Sequence, residues 1–191
     1  EAREDAAQAK VVARELESFG IEVHRGLAKT GVVGVLKTGD GPSIGLRADM
    51  DALPMDEVTH APYASRTPGA MHACGHDGHS AMLLGAAEAL ASLDFDGTVY
   101  FVFQPNEEHG LGAQAMIDDG LFDRFPMDAI YGMHNMPGRP TGQLAMKPGA
   151  IMAGEDNFSL TIVGRGGHAS QPHQHIDPLV ISAEIILAMQ S

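Results

Sequence analysis

Apolar positions in the first twenty residues recur at helical intervals and then change period. Val12, Leu16 and Phe19 lie on one stripe, which predicts an amphipathic helix over about Asp5–Phe19, closed by Gly20. Two short β-branched runs follow, Ile21–Val23 and Val32–Leu36, and read as strands. The turn-rich stretch Thr38-Gly39-Asp40-Gly41-Pro42 joins the second run to Ile44–Ala48 and predicts a hairpin. Ser80–Leu90, rich in Ala, Leu and Met, predicts a helix. Thr98–Phe103 (TVYFVF) is apolar without alternation, the pattern of a strand covered on both faces. Ala113–Asp118 predicts a helix closed by Gly120, and Asp128–Met133 a further short buried strand.

Strands that alternate with helices in this way imply an α/β fold, a mostly parallel central sheet flanked by helices. From Asn157 the pattern changes. Phe158–Val163 alternates like a half-exposed strand, and Pro178–Met189 carries Ile, Leu and Val at helical spacing. A domain boundary is expected near Gly149–Gly154, with residues 1–152 forming the first domain and 153–191 the start of an α+β second one. About forty residues are too few to hold a separate core, so the second domain is expected to be truncated.

Composition narrows the function. With 12 Lys+Arg against 25 Asp+Glu, the formal charge of −13 repels phosphate backbones and anionic headgroups, which argues against nucleic-acid and membrane partners. No apolar run approaches the ~20 residues needed to cross a bilayer. The segment Glu1–Lys10 lacks a signal-peptide pattern, although the chain begins without Met and an upstream segment is expected to be lost. The single cysteine, Cys74, excludes an intrachain disulfide and a four-thiolate zinc site, and makes the reducing cytoplasm the expected compartment.

The ten histidines matter by their placement. Met71-His72-Ala73-Cys74-Gly75-His76-Asp77-Gly78-His79 stands directly before a predicted helix. Thiolate and imidazole suit Zn, Mn, Co or Ni; Cys74 and His76, separated by Gly75, can converge on one ion, and an adjacent carboxylate such as Asp77 can orient an imidazole. The competing reading is a buried free cysteine beside surface histidines. Gln104-Pro105-Asn106-Glu107-Glu108 follows the apolar strand, where α/β sheets place reactive groups. Two adjacent carboxylates there can divide the work, one binding metal and the other taking a proton from activated water, or they can be an ordinary acidic loop. Tyr131-Gly132-Met133-His134-Asn135 ends the next strand and puts His134 on the same predicted sheet edge. A lone strand-end histidine is commonly structural; three candidate groups at three element ends are harder to dismiss.

Two other patterns carry less. Gly41-Pro42-Ser43-Ile44-Gly45 matches GxSxG, but a nucleophile elbow needs a strand before the serine and a helix after it, and here a turn precedes and a strand follows. Gly164-Arg165-Gly166-Gly167-His168-Ala169-Ser170, then Pro172-His173, reads alone as a glycine turn with a surface histidine, and it lacks the GK[ST] of a phosphate loop.

Taken together, RADMDALP (Arg47–Pro54), MHACGHDGH (Met71–His79), QPNEE (Gln104–Glu108), GMHN (Gly132–Asn135) and GRGGHAS-PH (Gly164–His173) resemble the M20 metallopeptidase family, and within it the branch of hippurate hydrolases and auxin-conjugate amidohydrolases. The resemblance runs along essentially the whole chain, in family order. It implies a two-metal hydrolase with an α/β catalytic domain and an inserted lid domain that also mediates homodimerisation. Carried over by position, Cys74 would bridge the two divalent ions (Mn, Zn, Co or Ni), with His76, Glu108 and His134 as further ligands. Glu107 would be the general base, and His168 would polarise the substrate carbonyl. Asp49 and Asp51 stand where many relatives carry a His-x-Asp ligand motif; Asp49 is not expected to bind metal, and Asp51 and Asp77 are expected to support the ligands from behind.

The implied activity is cleavage of the amide bond of small N-acyl amino acids by metal-activated water. Two departures bear on it. Asn106 replaces the family's usual Ala, and family members continue well beyond Ser191, where the last histidine ligand is expected. A catalytically incomplete metal-binding fragment is therefore the first alternative. The second makes Cys74 a nucleophile activated by His76 or His79, which would be trapped by alkylation and indifferent to chelators.

Overall fold

The computed structural model describes residues 2–190. They fall into two compact units, Glu1–Arg139 and Pro140–Ser191. In the first, helix α1 (Ala2–Ser18) leads into strands β1 (Glu22–Leu27), β2 (Gly31–Lys37) and β3 (Ser43–Asp49), then helix α2 (His76–Ala91) and strand β4 (Thr98–Gln104). Helices α3 (Gly112–Asp118) and α4 (Leu121–Arg124) and strand β5 (Ala129–Gly132) complete it.

The predicted end of α1 is realised as a Schellman closure. Ile21 N–H donates to Leu16 C=O and Gly20 N–H to Glu17 C=O, both at 3.1 Å, with Gly20 at φ +78°. Leu16 and Ile21 both enter the core, so the turn that stops the helix also aims β1 at the sheet.

The sheet order is β1-β2-β4-β3-β5. β4 runs parallel to β3, and β3 to β5, whereas β2 is antiparallel to both its neighbours. Four strands therefore share one direction, and β2 alone opposes them. The expected hairpin between β2 and β3 does not form, because β4 lies between them. All seven residues of β4 are buried, so it needs a hydrogen-bonding partner on each edge as well as cover on each face. The loop meant for the hairpin instead receives the start of β4: Thr38 N–H donates to Gly97 C=O and Thr98 N–H to Pro42 C=O, each at 3.0 Å.

Alternate residues of β4 serve two cores. Val99, Phe101 and Phe103 pack with Val12, Leu16, Ala48, Met50, Leu83 and Ala87 from the α1/α2 side. Tyr100 and Val102 pack with Leu27, Val33, Met116, Leu121 and Phe125 from the α3/α4 side. This is a mixed sheet between two helical layers.

The second unit holds a short 3₁₀ turn, Pro172–Gln174, and helix α5 (Pro178–Met189), whose N-cap Asp177 accepts Leu179 N–H at 2.9 Å. None of its described residues is buried. Phe158–Val163, expected as a strand, pairs with nothing among the described residues. Alternation alone does not make a strand without a ladder partner, and Phe158, Leu160 and Val163 are all more than half exposed. Among the described residues of this unit the one pairing is an antiparallel bridge between Arg165 and Ile176.

Phe101 sits mid-strand on β4 with no exposed surface. Replacing it with Ala is expected to cost about 3–5 kcal/mol, read as a lowered urea midpoint at unchanged m-value; a loss under about 1 kcal/mol would contradict this account of the core.

Candidate metal centre

β3, β4 and β5 end together at one edge of the sheet, and the candidate residues follow at once. Asp51 comes just after β3, Glu107 and Glu108 just after β4, and His134 just after β5. This carboxyl end is where α/β sheets open a crevice. α2 begins at His76, earlier than its small-residue run predicts, so that Cys74 lies in the turn that enters it. Gly75, between them, has φ +88°, and a Cβ there would come within 2.8 Å of the Asn135 side-chain amide. Only glycine lets Cys74 and His76 turn towards the same point beside that amide.

His76 is the centre of the cluster and has no exposed surface. Its Nδ1 lies 2.9 Å from the Asp51 carbonyl oxygen, which can only accept, so Nδ1 carries a proton and donates. Asp51 Oδ1 stands 3.4 Å from the same nitrogen. In the neutral ring Nε2 is then a bare lone pair. It is buried without a hydrogen-bond partner and faces Glu107 Oε2 and Glu108 Oε1 at 3.7 Å and Asp49 Oδ2 at 3.8 Å. Glu108 Oε1 is likewise buried and unpartnered. The backbone N–H of Glu108 donates to Asp51 Oδ2 at 2.9 Å, which fixes the loop that carries both glutamates.

Cys74 Sγ and His134 Nε2 approach to 3.5 Å beside His76. His134 Nδ1 donates to the Asn135 carbonyl at 2.7 Å, which again turns the lone pair of Nε2 inward. Behind these residues lies a polar chain. Asp49, fully buried, is hydrogen-bonded by His79 Nδ1 at 2.6 Å and by Arg47 Nη1 at 2.8 Å, and Arg47 Nε donates to Gln104 Oε1 at 2.8 Å.

The electrostatics favour a cation. Burial raises the Cys74 thiol, and the carboxylates of Glu108, Glu107 and Asp49 raise it further, to about 11. Burial alone would lower His76, but Asp51, Asp49 and Glu107 outweigh it and hold the imidazole above its usual value. Asp51 is driven upward by burial, yet hydrogen bonds from His76 and from the backbones of Glu108 and Glu107 bring it down to about 2. Without another cation, protons on Cys74 and His76 are what relieve the clustered negative charge.

Cys74, His76, Glu107, Glu108 and His134 are thus brought together, with Asp51 directly behind His76. Asp77 is exposed in the first turn of α2, and no hydrogen bond joins it to a candidate ligand among the described residues. His168 is exposed in the second unit, where Ser170 N–H donates to its Nδ1 at 3.2 Å. Ser43 Oγ donates to the Pro126 carbonyl at the start of β3, a structural role that agrees with rejection of the GxSxG match. Sequence reasoning missed Arg47, Gln104 and Asn135. The available signal was polar residues in or just beyond otherwise apolar strands.

The donor set and its spacing fit divalent metal. Metal bonds of about 2.0–2.3 Å at tetrahedral angles separate ligand atoms by about 3.4–3.7 Å; the separations here are 3.5–3.8 Å, too long for hydrogen bonds between the nitrogen and oxygen atoms. Cys74, His76 and His134 form one such group, and His76, Glu107 and Glu108 another. In the metal-free chain, iodoacetamide at pH 8 is expected to label Cys74 roughly 20-fold more slowly than an ordinary cysteine, since the thiolate population falls more than its nucleophilicity rises. Mass spectrometry of the labelled peptide checks this, and labelling at the ordinary rate would contradict the electrostatic picture.

Residues 45–191 match the model of the peptidase family M20/M25/M40. Hippurate hydrolase of Campylobacter jejuni is 50% identical over 189 residues, which cover 98% of this chain and 49% of that protein. IAA-amino acid hydrolase ILR1-like 5 of Arabidopsis thaliana is 43% identical over 98% of this chain and 43% of its own length. The chain thus spans about half the length of the curated relatives it matches. Among solved structures, the YXEP protein of Bacillus subtilis, a dinuclear metal-binding peptidase of the M20 family, superposes with a TM-score of 0.68 at 42% identity, over 72% of this chain and 39% of that one. A family match across most of the chain, over the same strand ends that gather the thiol, imidazoles and carboxylates, places this chain in the M20/M25/M40 peptidase family.

Proposed function

We propose that this chain carries the metal-ligating part of an amidohydrolase that cleaves small N-acyl amino acids. The observation that carries the reading is the buried, unpartnered Nε2 of His76, which in the neutral ring is a lone pair because Nδ1 donates to the Asp51 carbonyl, and which three carboxylates face. Cys74, His76, Glu108 and His134 would hold the metal, as their mutual proximity supports. Thiolate, imidazole and carboxylate together suit Zn, Mn, Co or Ni. Two such ions would supply Lewis acidity towards a water molecule and the scissile carbonyl.

The two glutamates divide by exposure. Glu108, 19% exposed and with an unpartnered buried oxygen, is the ligand; Glu107, 36% exposed, is open to water and substrate. Glu107 takes a proton from water and returns it to the departing amine. His168 accepts at Nδ1 from Ser170, so Nε2–H remains to donate to a carbonyl oxygen as negative charge develops on it. The unit that carries His168 is the start of the lid, through which the whole protein dimerises. The relatives' names, hippurate hydrolase and IAA-amino acid hydrolase, support an aryl or indolyl acyl group joined to a small amino acid. A reducing cytoplasm suits a cysteine ligand that oxidation would destroy; among the described residues no helix is long and apolar enough to cross a membrane.

Because the chain spans about half of its relatives' length, metal binding without turnover is the second reading. Metal analysis after dialysis, combined with hydrolysis of N-benzoylglycine, separates the two. Glu107→Gln is expected to leave metal content unchanged and lower kcat by about 10²–10⁴-fold; turnover that survives this change would remove Glu107 from the role of base. Chelator should abolish activity. A cysteine-nucleophile mechanism predicts activity that persists under chelation, and it is disfavoured by a thiol raised to about 11 among carboxylates.

A further inference from the structure

His79 has the credentials of a fourth ligand. It is 2% exposed, and one of its ring nitrogens lies in a compact group with Asp49 and His76. Its hydrogen bonds point elsewhere. The backbone N–H of Asn135 donates to His79 Nε2 at 2.9 Å, so that nitrogen holds the lone pair and has it engaged. Nδ1 therefore carries the proton and donates to Asp49 Oδ1 at 2.6 Å. The Asn135 side-chain amide also meets Nε2, and turned end for end it presents its NH₂ to the same lone pair. Neither ring nitrogen has an unused lone pair for a metal.

What His79 does hold is the segment after β5. The N–H it accepts belongs to the peptide bond that joins His134 to Asn135, so the bond fixes the backbone at the ligand itself. The His79 and His134 rings stand 4.6 Å apart at 66°. Asp49, buried and braced by Arg47, holds the imidazole in the tautomer that can accept.

We propose that His79 is a positioning residue: by accepting the Asn135 N–H it sets the place of His134 Nε2 beside Cys74, and it is not itself a ligand. The inference rests on the metal-binding reading above, and its test separates the two. The two halves of the role can be divided by substitution. In His79→Gln a side-chain oxygen can stand near Nε2 and accept from Asn135, whereas His79→Asn retains a donor near Nδ1 for Asp49 and loses the acceptor.

The experiment titrates Co²⁺ into the protein and the two variants against a competing chelator, recording the thiolate-to-cobalt charge-transfer and d–d bands. His79→Asn is expected to weaken Co²⁺ binding by about 10–100-fold and to alter the d–d band while the charge-transfer band from Cys74 persists. His79→Gln is expected to restore both affinity and band shape towards wild type at unchanged stoichiometry. Wild-type affinity in His79→Asn overturns the proposal, and so does a lost equivalent of Co²⁺ in both variants, which would make His79 a ligand. Failure of the unsubstituted protein to bind Co²⁺ overturns the metal reading and this inference together. Long-range ¹H–¹⁵N spectra of the unsubstituted, metal-free protein test the geometry without any variant. A His79 proton on Nδ1 supports it, and one on Nε2 overturns it.

Discussion

Four carboxylates, from Asp49, Asp51, Glu107 and Glu108, surround one buried imidazole, and among the described residues Arg47 is the only permanently charged partner, bound to the Asp49 oxygen that faces His76. Charges of one sign packed at this spacing destabilise one another unless something positive lies among them. Asp51 shows how part of the charge is absorbed within the fold: the Glu108 N–H donates to its carboxylate and the His76 imidazole stands beside it, and its carboxyl is held low. Glu108 Oε1, by contrast, is buried without a hydrogen-bond partner. The charge of the glutamates is left facing His76 and Cys74, whose raised proton affinities record the same field from the other side.

A field of this kind can be maintained only if the groups that make it cannot retreat into solvent. The sheet prevents that. β4 is clamped on both edges and both faces, so the residues that follow it leave from a fixed point. β3, in parallel register beside it, ends at the same level, with Asp49 opposite Gln104, and β5, parallel to β3, ends opposite Arg47. Hydrogen bonds then tie one exit to another. Asp51, after β3, holds both His76 on α2 and the Glu108 backbone after β4, and His79 on α2 joins Asp49 to the segment after β5. The positions of the ligand atoms are therefore set by the most rigid part of the fold rather than by the loops that carry them.

Much of this was legible in the sequence. TVYFVF identified a strand buried on both faces, and the position of the Glu pair after it placed both carboxylates at a strand end. Helix α5 was readable over Pro178–Met189. The hairpin was misread because local turn chemistry cannot reveal that a strand sixty residues later will enter the gap between β2 and β3; that preference comes from the burial of β4, a tertiary effect. Phe158–Val163 shows the converse, a strand pattern without a partner. The hydrogen-bond roles of Arg47, Gln104 and Asn135 were invisible because each depends on a contact with a residue distant in the chain: Arg47 and Gln104 meet across neighbouring strands, and Asn135 meets His79 on α2.

Proximity is a poor guide to which residues hold a metal, and the two histidines of α2 show why. His76 and His79 are both buried, share the same helix and stand near the same aspartate. They differ in what is left over after hydrogen bonding. The Asp51 carbonyl takes the proton of one nitrogen of His76 and leaves the other as an unused lone pair in a negative enclosure. Asn135 and Asp49 occupy both nitrogens of His79. A ligand needs an unoccupied lone pair aimed at the cation, whereas a residue that orients ligands needs both of its ends engaged. The same spacing on one helix thus yields two different roles, fixed by whether each ring meets a donor or an acceptor where the neighbouring strands end.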